Sequence, residues 1–376
     1  MDKFDMKRKV LDELKKIQQE IKEGSSRDYS ADFSQIGHSS IKEGYLNGKS
    51  IQRVIFYLRG YGCKWAISRG GGCFMCGHYT KTSMGRKISP FHFITQFQNE
   101  FAKYDFTQYP MICVYNAGSF LNEEEMPVIA RQEIFRVIAE NQHIQTVVIE
   151  SRPEFITNEV IKEIEKILPH KRIEIGVGLE LESDLSREIC INKEFSFEEY
   201  ELCAKLISES NLCLLTYITV KPLFLTISES VEQAIKTARK ASDLGSAVIS
   251  FEPTSLQKGT AVEYFFNKGM YQFPWGWDMI EIMKKVHDLP LEIRIGGFEF
   301  FPIPEAFIQN CAFCNKKLYE AIYSYNATKN MELLLSLQCD CQNTREVDKN
   351  KERSLDEDLI SRVYKILELE GEKQWN

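Results

Sequence analysis

Seven of the eleven cysteines fall into two clusters, and this limits what the chain can be. Cys63, Cys73 and Cys76 make a Cys-x9-Cys-x2-Cys run. Cys311, Cys314, Cys339 and Cys341 make two close pairs. The start, MDKFDMKRKVLDELKKIQQEIKEG, mixes lysine and glutamate and lacks the apolar core of an export signal. Thiols grouped this way in a reducing compartment persist as metal ligands rather than disulfides, so a cytoplasmic location is expected. No run approaches the ~18 apolar residues of a membrane span, and no membrane partner is expected. The other four, Cys113, Cys190, Cys203 and Cys213, stand alone in apolar or helical context and read as small buried hydrophobes.

Strand-like runs alternate with amphipathic stretches after the first 50 residues. The strands are expected at 51–58, 110–116, 145–150, 172–179, 212–220 and 246–251, with a seventh candidate at 291–296. Between them, apolar residues recur at three- and four-residue spacing, as in EEEMPVIARQEIFRVIAEN and ESVEQAIKTARKASDLG. Val/Ile-rich strands joined by helices mean a parallel sheet covered by helices. The expected fold is α/β, a partial (β/α)6-type barrel whose chemistry gathers at the carboxyl ends of its strands. A length of 376 residues and 43% hydrophobic content suit one large core with a smaller appendage. Three segments are expected: a helical extension (1–45), the barrel (46–300) and a cysteine-rich module (301–376). Residues 28–50 read as irregular and 346–358 as solvated.

The first cluster follows the first expected strand. Three thiolates can hold three irons of a [4Fe–4S] cubane and leave the fourth open to the amino and carboxylate groups of S-adenosylmethionine (SAM). Electron transfer into the sulfonium then yields a 5′-deoxyadenosyl radical. The glycines at 70–72 let backbone wrap closely around such a group. The alternative is a structural zinc loop with His78 as fourth ligand. Candidate cofactor contacts lie at later strand ends: Asn116, Gly118 and Ser119, then Glu150 and Arg152, then Glu180, with Arg187 in the helix that follows. Singly, Glu180 and Arg187 read as surface ion-pair residues. Glu252 and Lys221, at two further strand ends, are the candidate catalytic residues.

The ordered series Cys-x9-Cys-x2-Cys, AGSFL, ESRPEF and GLE…REICINKEFSFEEY resembles the branch of radical SAM enzymes that contains the elongator catalytic subunit. VKPLFL (220–225), SLQKGTAVEYFFNKGMYQFPWGWDMIEIM (255–283) and NCAFC…AIYSYNATKNMELLLSLQCDC (310–341) are similar to the radical SAM subunit family of archaeosine synthase. The resemblance spans about residues 45–345. It implies a radical SAM partial barrel, a SAM-bound [4Fe–4S] cluster fed by an external electron donor, and a lyase reaction on tRNA. In that reaction a lysine-bearing deazaguanine adduct is cleaved to leave the amidine of archaeosine. By position in the pattern, Cys63, Cys73 and Cys76 take the cluster, and Gly118 and Ser119 form the turn at the methionine amine. Glu150 meets the cofactor's polar groups and Arg187 its carboxylate. The chain departs from the pattern at Glu252-Pro253, where Asn-Pro is expected, and at Phe273-Pro274-Trp275, where a Pro-Pro-Trp type run is. The first departure bears on substrate identity, leaving another nucleoside, a small molecule or a peptide as the alternative. A zinc-stabilised scaffold without a cluster is the reading from a different class.

Cys311, Cys314, Cys339 and Cys341 offer four thiolates on paired turns, which suits a closed structural zinc site, with a second iron–sulfur cluster as the competitor. The aromatic run Tyr271, Phe273, Trp275 and Trp277 reads as core packing, with base stacking as its functional alternative. Net charge is −7 and pI about 5.6. Affinity for nucleic acid comes from Lys and Arg displacing counterions. No dense run of them marks the expected active face, so the tRNA is expected to be presented by a transglycosylase-like partner protein.

Overall fold

The computed structural model describes residues 2–24, 32–68, 71–296, 301–353 and 357–373. Eight strands form one sheet in sequential order: β1 (His38–Leu46), β2 (Lys49–Tyr57), β3 (Met111–Tyr115), β4 (Thr146–Glu150), β5 (Arg172–Gly178), β6 (Cys213–Val220), β7 (Val248–Pro253) and β8 (Glu292–Ile295). β2 to β8 are parallel and joined through helices, giving the expected partial barrel. All seven expected strands are present.

β1 is a correction. It pairs antiparallel with β2 from His38↔Tyr57 to Leu46↔Lys49, inside a segment read as irregular. Gly44 is its only buried residue, so it lacks the apolar alternation that reveals a strand. The sheet therefore begins within the expected extension 1–45.

Side chains alternate across the sheet. Val54 and Phe56 of β2 face outward onto Phe93 and Phe97 of the helix Pro90–Phe101. Ile55 points inward with Met111, Cys113, Val148, Leu215 and Val248. Cys113, Cys190 and Cys203 are buried as expected, and Cys213 partly so.

The terminal segments brace this frame. The helix Lys3–Gly24 buries Val10, Leu14 and Ile17 in one cluster with Val363 of the helix Leu359–Lys373 and with Phe74 of the first cysteine loop. Gln18 Nε2 donates to Gly71 O at 3.0 Å, tying that helix to the same loop. The helix Asn315–Thr328 packs against β1, β2 and β8, spanning the gap between the first and last strands. Its Asn326 donates to Ile295 O (2.7 Å) and accepts from Ile295 N (3.0 Å), so one amide satisfies the open edge of β8. Lys329, just beyond, reaches Ile293 O at 3.0 Å and lies over the Tyr45 ring of β1.

Residues 346–353, read as solvated, continue the helix Cys341–Arg353. Arg345 anchors it through Asp278 (2.8 Å) and Glu281 (2.5 Å) of the helix Gly276–Val286.

Candidate active site

A cavity of about 810 Å³ runs through the half-barrel. Cys63, Cys73, Cys76, Gly77 and His78 line one end, beyond the carboxyl end of β2. None of the three cysteines is in a disulfide. Burial pushes the Cys63 thiol up to about 11 and that of Cys76 to about 12, so a bound cation is what would ionise them. Burial also holds the His78 imidazole down to about 4.

The loop carrying these cysteines is clamped from two sides. Glu125, fully buried, accepts from the backbone N–H of Lys64 (2.9 Å) and Ser119 (2.5 Å) and from Asn122 Nδ2 (2.8 Å). It thereby joins Cys63's neighbour to the turn after β3. A Cβ at Gly118 would lie 3.2 Å from Cys63 backbone atoms and closer still to Glu125, so only glycine allows this approach. On the other side, Asn192 adopts a left-handed conformation (φ 60°) and donates to Gly72 O at 2.7 Å. Trp65 Nε1 donates to Asn192 O at 2.7 Å, and Phe74 N to Ile191 O at 2.9 Å.

Most of the expected contacts meet on the cavity wall: Gly118, Ser119, Glu150, Arg152, Glu180 and Glu252 all line it. Lys193 joins them unforeseen, paired with Glu180 at 2.8 Å. Thr219 Oγ1 donates to the other Glu180 oxygen at 2.6 Å. Burial raises the Glu150 carboxyl to about 7, against the opposing pull of Tyr217's hydroxyl and the Lys193 ammonium. Burial likewise lifts Glu252 to about 7, despite a 2.7 Å hydrogen bond from Ser250 Oγ, with Glu180 and Glu150 adding like charge. Glycines keep this wall open: a Cβ at Gly176 would meet the Tyr217 ring at 2.6 Å, and one at Gly178 would meet Lys193 Nζ at 2.6 Å.

Three expected contacts lie elsewhere. Arg187 is buried away from the cavity. It donates to the carbonyls of Leu181 (2.6 Å), Glu182 (3.3 Å) and Phe195 (3.2 Å) and pairs with Asp184. A guanidinium surrounded by acceptors from its own loop has no fork left for a ligand. Lys221, at φ 56°, turns back to Leu225 O (2.5 Å) and to Glu352 (3.5 Å) instead of toward the cavity. Asn116 is 1% exposed and absent from the cavity wall, and its side-chain amide has no partner among the described residues. The aromatic run is likewise internal. Trp277 packs in the core with its Nε1 3.2 Å from Cys341 Sγ, and Tyr271 and Phe273 pack together in a second cluster.

The second cysteine group converges. Sγ–Sγ separations are 3.7 Å (Cys311–Cys314), 3.5 Å (Cys311–Cys339) and 3.6 Å (Cys314–Cys341), and all four sulfurs lie within 4.8 Å of one another.

No family model matches the chain. An uncharacterized protein of Methanocaldococcus jannaschii is 33% identical over 356 residues, covering 90% of this chain and 87% of its own length. The archaeosine synthase subunit beta of Methanosarcina acetivorans is 28% identical over 297 residues, covering 79% of this chain and 85% of that protein. Its counterpart in Thermococcus kodakarensis is 29% identical over 242 residues, covering 64% and 74%. The chain belongs to one family with the Methanocaldococcus jannaschii protein. Among solved structures, this chain is similar to the Elp3 protein of Methanocaldococcus infernus, with a TM-score of 0.44 and 14% identity over 63% of this chain and 59% of that one. It is also similar to methylornithine synthase, with a TM-score of 0.45 and 12% identity over 65% of each chain.

The residues missed from the sequence lie in contexts that carry no signal of their own. Glu125 hid in an acidic run, and Asn192 and Lys193 at a helix end. The segment around the first cysteine loop lacks acidic residues. Residues 44–99, which carry the cysteine loop, hold eight Lys/Arg and no Asp or Glu. Exposed Lys81 and Lys87 make no ion pair among the described residues. The backbone pairs Gly60–Ser83 and Tyr61–Gly85 bring their loop onto the one preceding Cys63. No helix among the described residues is long and apolar enough to cross a membrane.

Proposed function

We propose that this chain is a cytoplasmic radical SAM lyase that converts a lysine-bearing deazaguanine in tRNA to archaeosine. It would work with a partner subunit, related to transglycosylases, that presents the tRNA. One observation carries the reading: a single cavity has three free cysteines at the strand carboxyl ends and ionisable groups along its wall. The chain also aligns with named archaeosine synthase beta subunits over most of their length.

The residues present fit the implied group. Cys63, Cys73 and Cys76 would hold a [4Fe–4S] cluster on the clamped loop, and Gly118 and Ser119 would face the methionine end of SAM. Glu150, Glu180 and Arg152 would meet its polar groups. When bound, the cluster and SAM supply a 5′-deoxyadenosyl radical, with electrons from an external donor. The chain's own part is to position and to exclude water. Lys193 fixes the Glu180 carboxylate. Glu150 and Glu252, poised near neutrality, can accept a hydrogen bond or hold a proton as a cationic substrate arm arrives. Glu252 would be the group that touches substrate. Lys221 is withdrawn from that role by its position.

The Cys311, Cys314, Cys339 and Cys341 quartet would bind one zinc. Zn–S bonds of 2.3 Å make a tetrahedron with edges of about 3.8 Å, close to the 3.5–3.7 Å separations here. A cubane spreads its thiolates over several irons.

The test is to incubate reduced, reconstituted enzyme and SAM with adduct-bearing tRNA, with and without the partner, and to analyse nucleosides by mass. Archaeosine together with 5′-deoxyadenosine is the expected result. Active SAM cleavage with no archaeosine under either condition would assign another substrate.

A further inference from the structure

The floor of the cavity, opposite the cysteines, is ionic. Arg294 donates to both oxygens of Glu174 (2.8 and 3.2 Å) and to Glu292 (2.8 and 3.3 Å). Arg172 adds to Glu174 at 3.0 Å, and Lys329 to Glu292 at 3.4 Å. Two carboxylates therefore already serve three cations. Arg53, the fourth, lines the same floor from β2. It makes no ion pair among the described residues. Its Nε is buried without a partner, and its Nη1 has only Cys113 Sγ at 4.0 Å. Glu43, also on the wall, is exposed to solvent, and Glu252, which feels the Arg53 charge without an ion pair to it, is lifted toward neutrality chiefly by burial.

Arg53 is half-buried, and a guanidinium partly removed from water without a paired anion is unfavourable. The fold nonetheless makes room for this one: Gly44 of β1 lies beside it, and a Cβ there would come within 3.3 Å of Arg53 Cδ. Arg53 pairs in register with Met111 at the start of the parallel sheet. That is four residues, or about 13 Å, below the end of β2. Its planar fork suits a carboxylate.

We propose that Arg53 is a carboxylate subsite at the floor of the cavity, and that it receives the α-carboxylate of the amino-acid arm of the substrate. The identity of that arm as lysine rests on the function proposed above; the subsite itself does not. The arm would then lie with its free end at Arg53 and its base-linked end toward the cysteines. The same contact would select an α-amino acid adduct over a plain amine adduct.

Two experiments separate the subsite from the reading. Binding of free L-lysine, 1,5-diaminopentane and inorganic phosphate to the reconstituted holoenzyme is followed by calorimetry. L-lysine should bind and the diamine should not. Arg53→Met should weaken L-lysine by roughly tenfold or more, with Arg53→Lys partly restoring it. Gly44→Ala, which disturbs the Arg53 stem alone, should weaken it in the same direction. Equal binding of lysine and diamine, an unchanged Arg53→Met, or phosphate binding as well as lysine would overturn the subsite. In turnover, wild type should prefer a lysine adduct on tRNA over a diaminopentane adduct, and Arg53→Met should lose that preference through KM. A holoenzyme that binds lysine through Arg53 yet yields no archaeosine would retain the subsite and refute the lyase reading.

Discussion

Glu174→Gln tests whether the cavity floor is held by charge. Glu174 is 1% exposed, and both oxygens accept from Arg294, with Arg172 adding a third contact. Burial alone would raise its carboxyl, but Arg294 and Arg172 outweigh burial and hold it below the usual range. The amide is nearly isosteric, so the change removes charge without making a cavity. Breaking one partner of a buried pair costs about 3–5 kcal/mol. Glu292 still faces Arg294, and Arg172 can turn to solvent, so about 3 kcal/mol is the appropriate end of that range. At about 2.1 cal/mol/K of unfolding entropy per residue, a chain of this length should lose about 4 °C in Tm. A carboxylate with a depressed folded pKa contributes stability above its unfolded pKa and loses it as pH falls through the folded value. The gap between wild type and variant should therefore be full at pH 7 and narrow at acid pH. Thermal unfolding across pH measures both. Equal Tm at pH 7, or a gap that widens on acidification, would refute the ionic account of the floor.

Cys63→Ala, Cys73→Ala and Cys76→Ala should each abolish 5′-deoxyadenosine formation, read by chromatography, while circular dichroism stays native. Cys314→Ser should drop zinc from about one per chain toward none by metal analysis, with faster hydrogen exchange along Asn315–Thr328; extra iron in place of zinc would oppose the assignment. Glu150 and Glu252 carry raised pKa values, so they oppose folding as pH rises from the ordinary carboxylate range through about 7. Glu252→Gln should make the apoprotein more stable than wild type at pH 8 and flatten that slope, as followed by thermal unfolding.

The sequence revealed what depends on local pattern. β2 to β8 were legible because their apolar runs are bounded by helical periodicity, and the cysteine clusters because ligand spacing is a property of the chain itself. β1 was not, since an edge strand with one buried glycine carries little pattern. Arg187, in the helix after β5, and Lys221, at the end of β6, have the right chemistry near the barrel mouth. Only the folded loops show that carbonyls at Leu181 and Leu225 have already claimed them. Lys193 and Arg53 look ordinary in sequence and matter only because distant strands place them against Glu180 and beneath the cavity.

The helix Asn315–Thr328 lies between the two halves of the cysteine quartet and closes the gap between β1 and β8. Translation runs from the amino end, so every strand-end residue leaves the ribosome while the trough is still open along one side. The helix that forms its last wall is made only after all eight strands, and Cys339 and Cys341, which complete the quartet, follow it. A nascent chain stalled near residue 300 would thus offer its first cysteine loop to iron–sulfur delivery from an unsealed barrel, and metal capture by the quartet would be the event that shuts it.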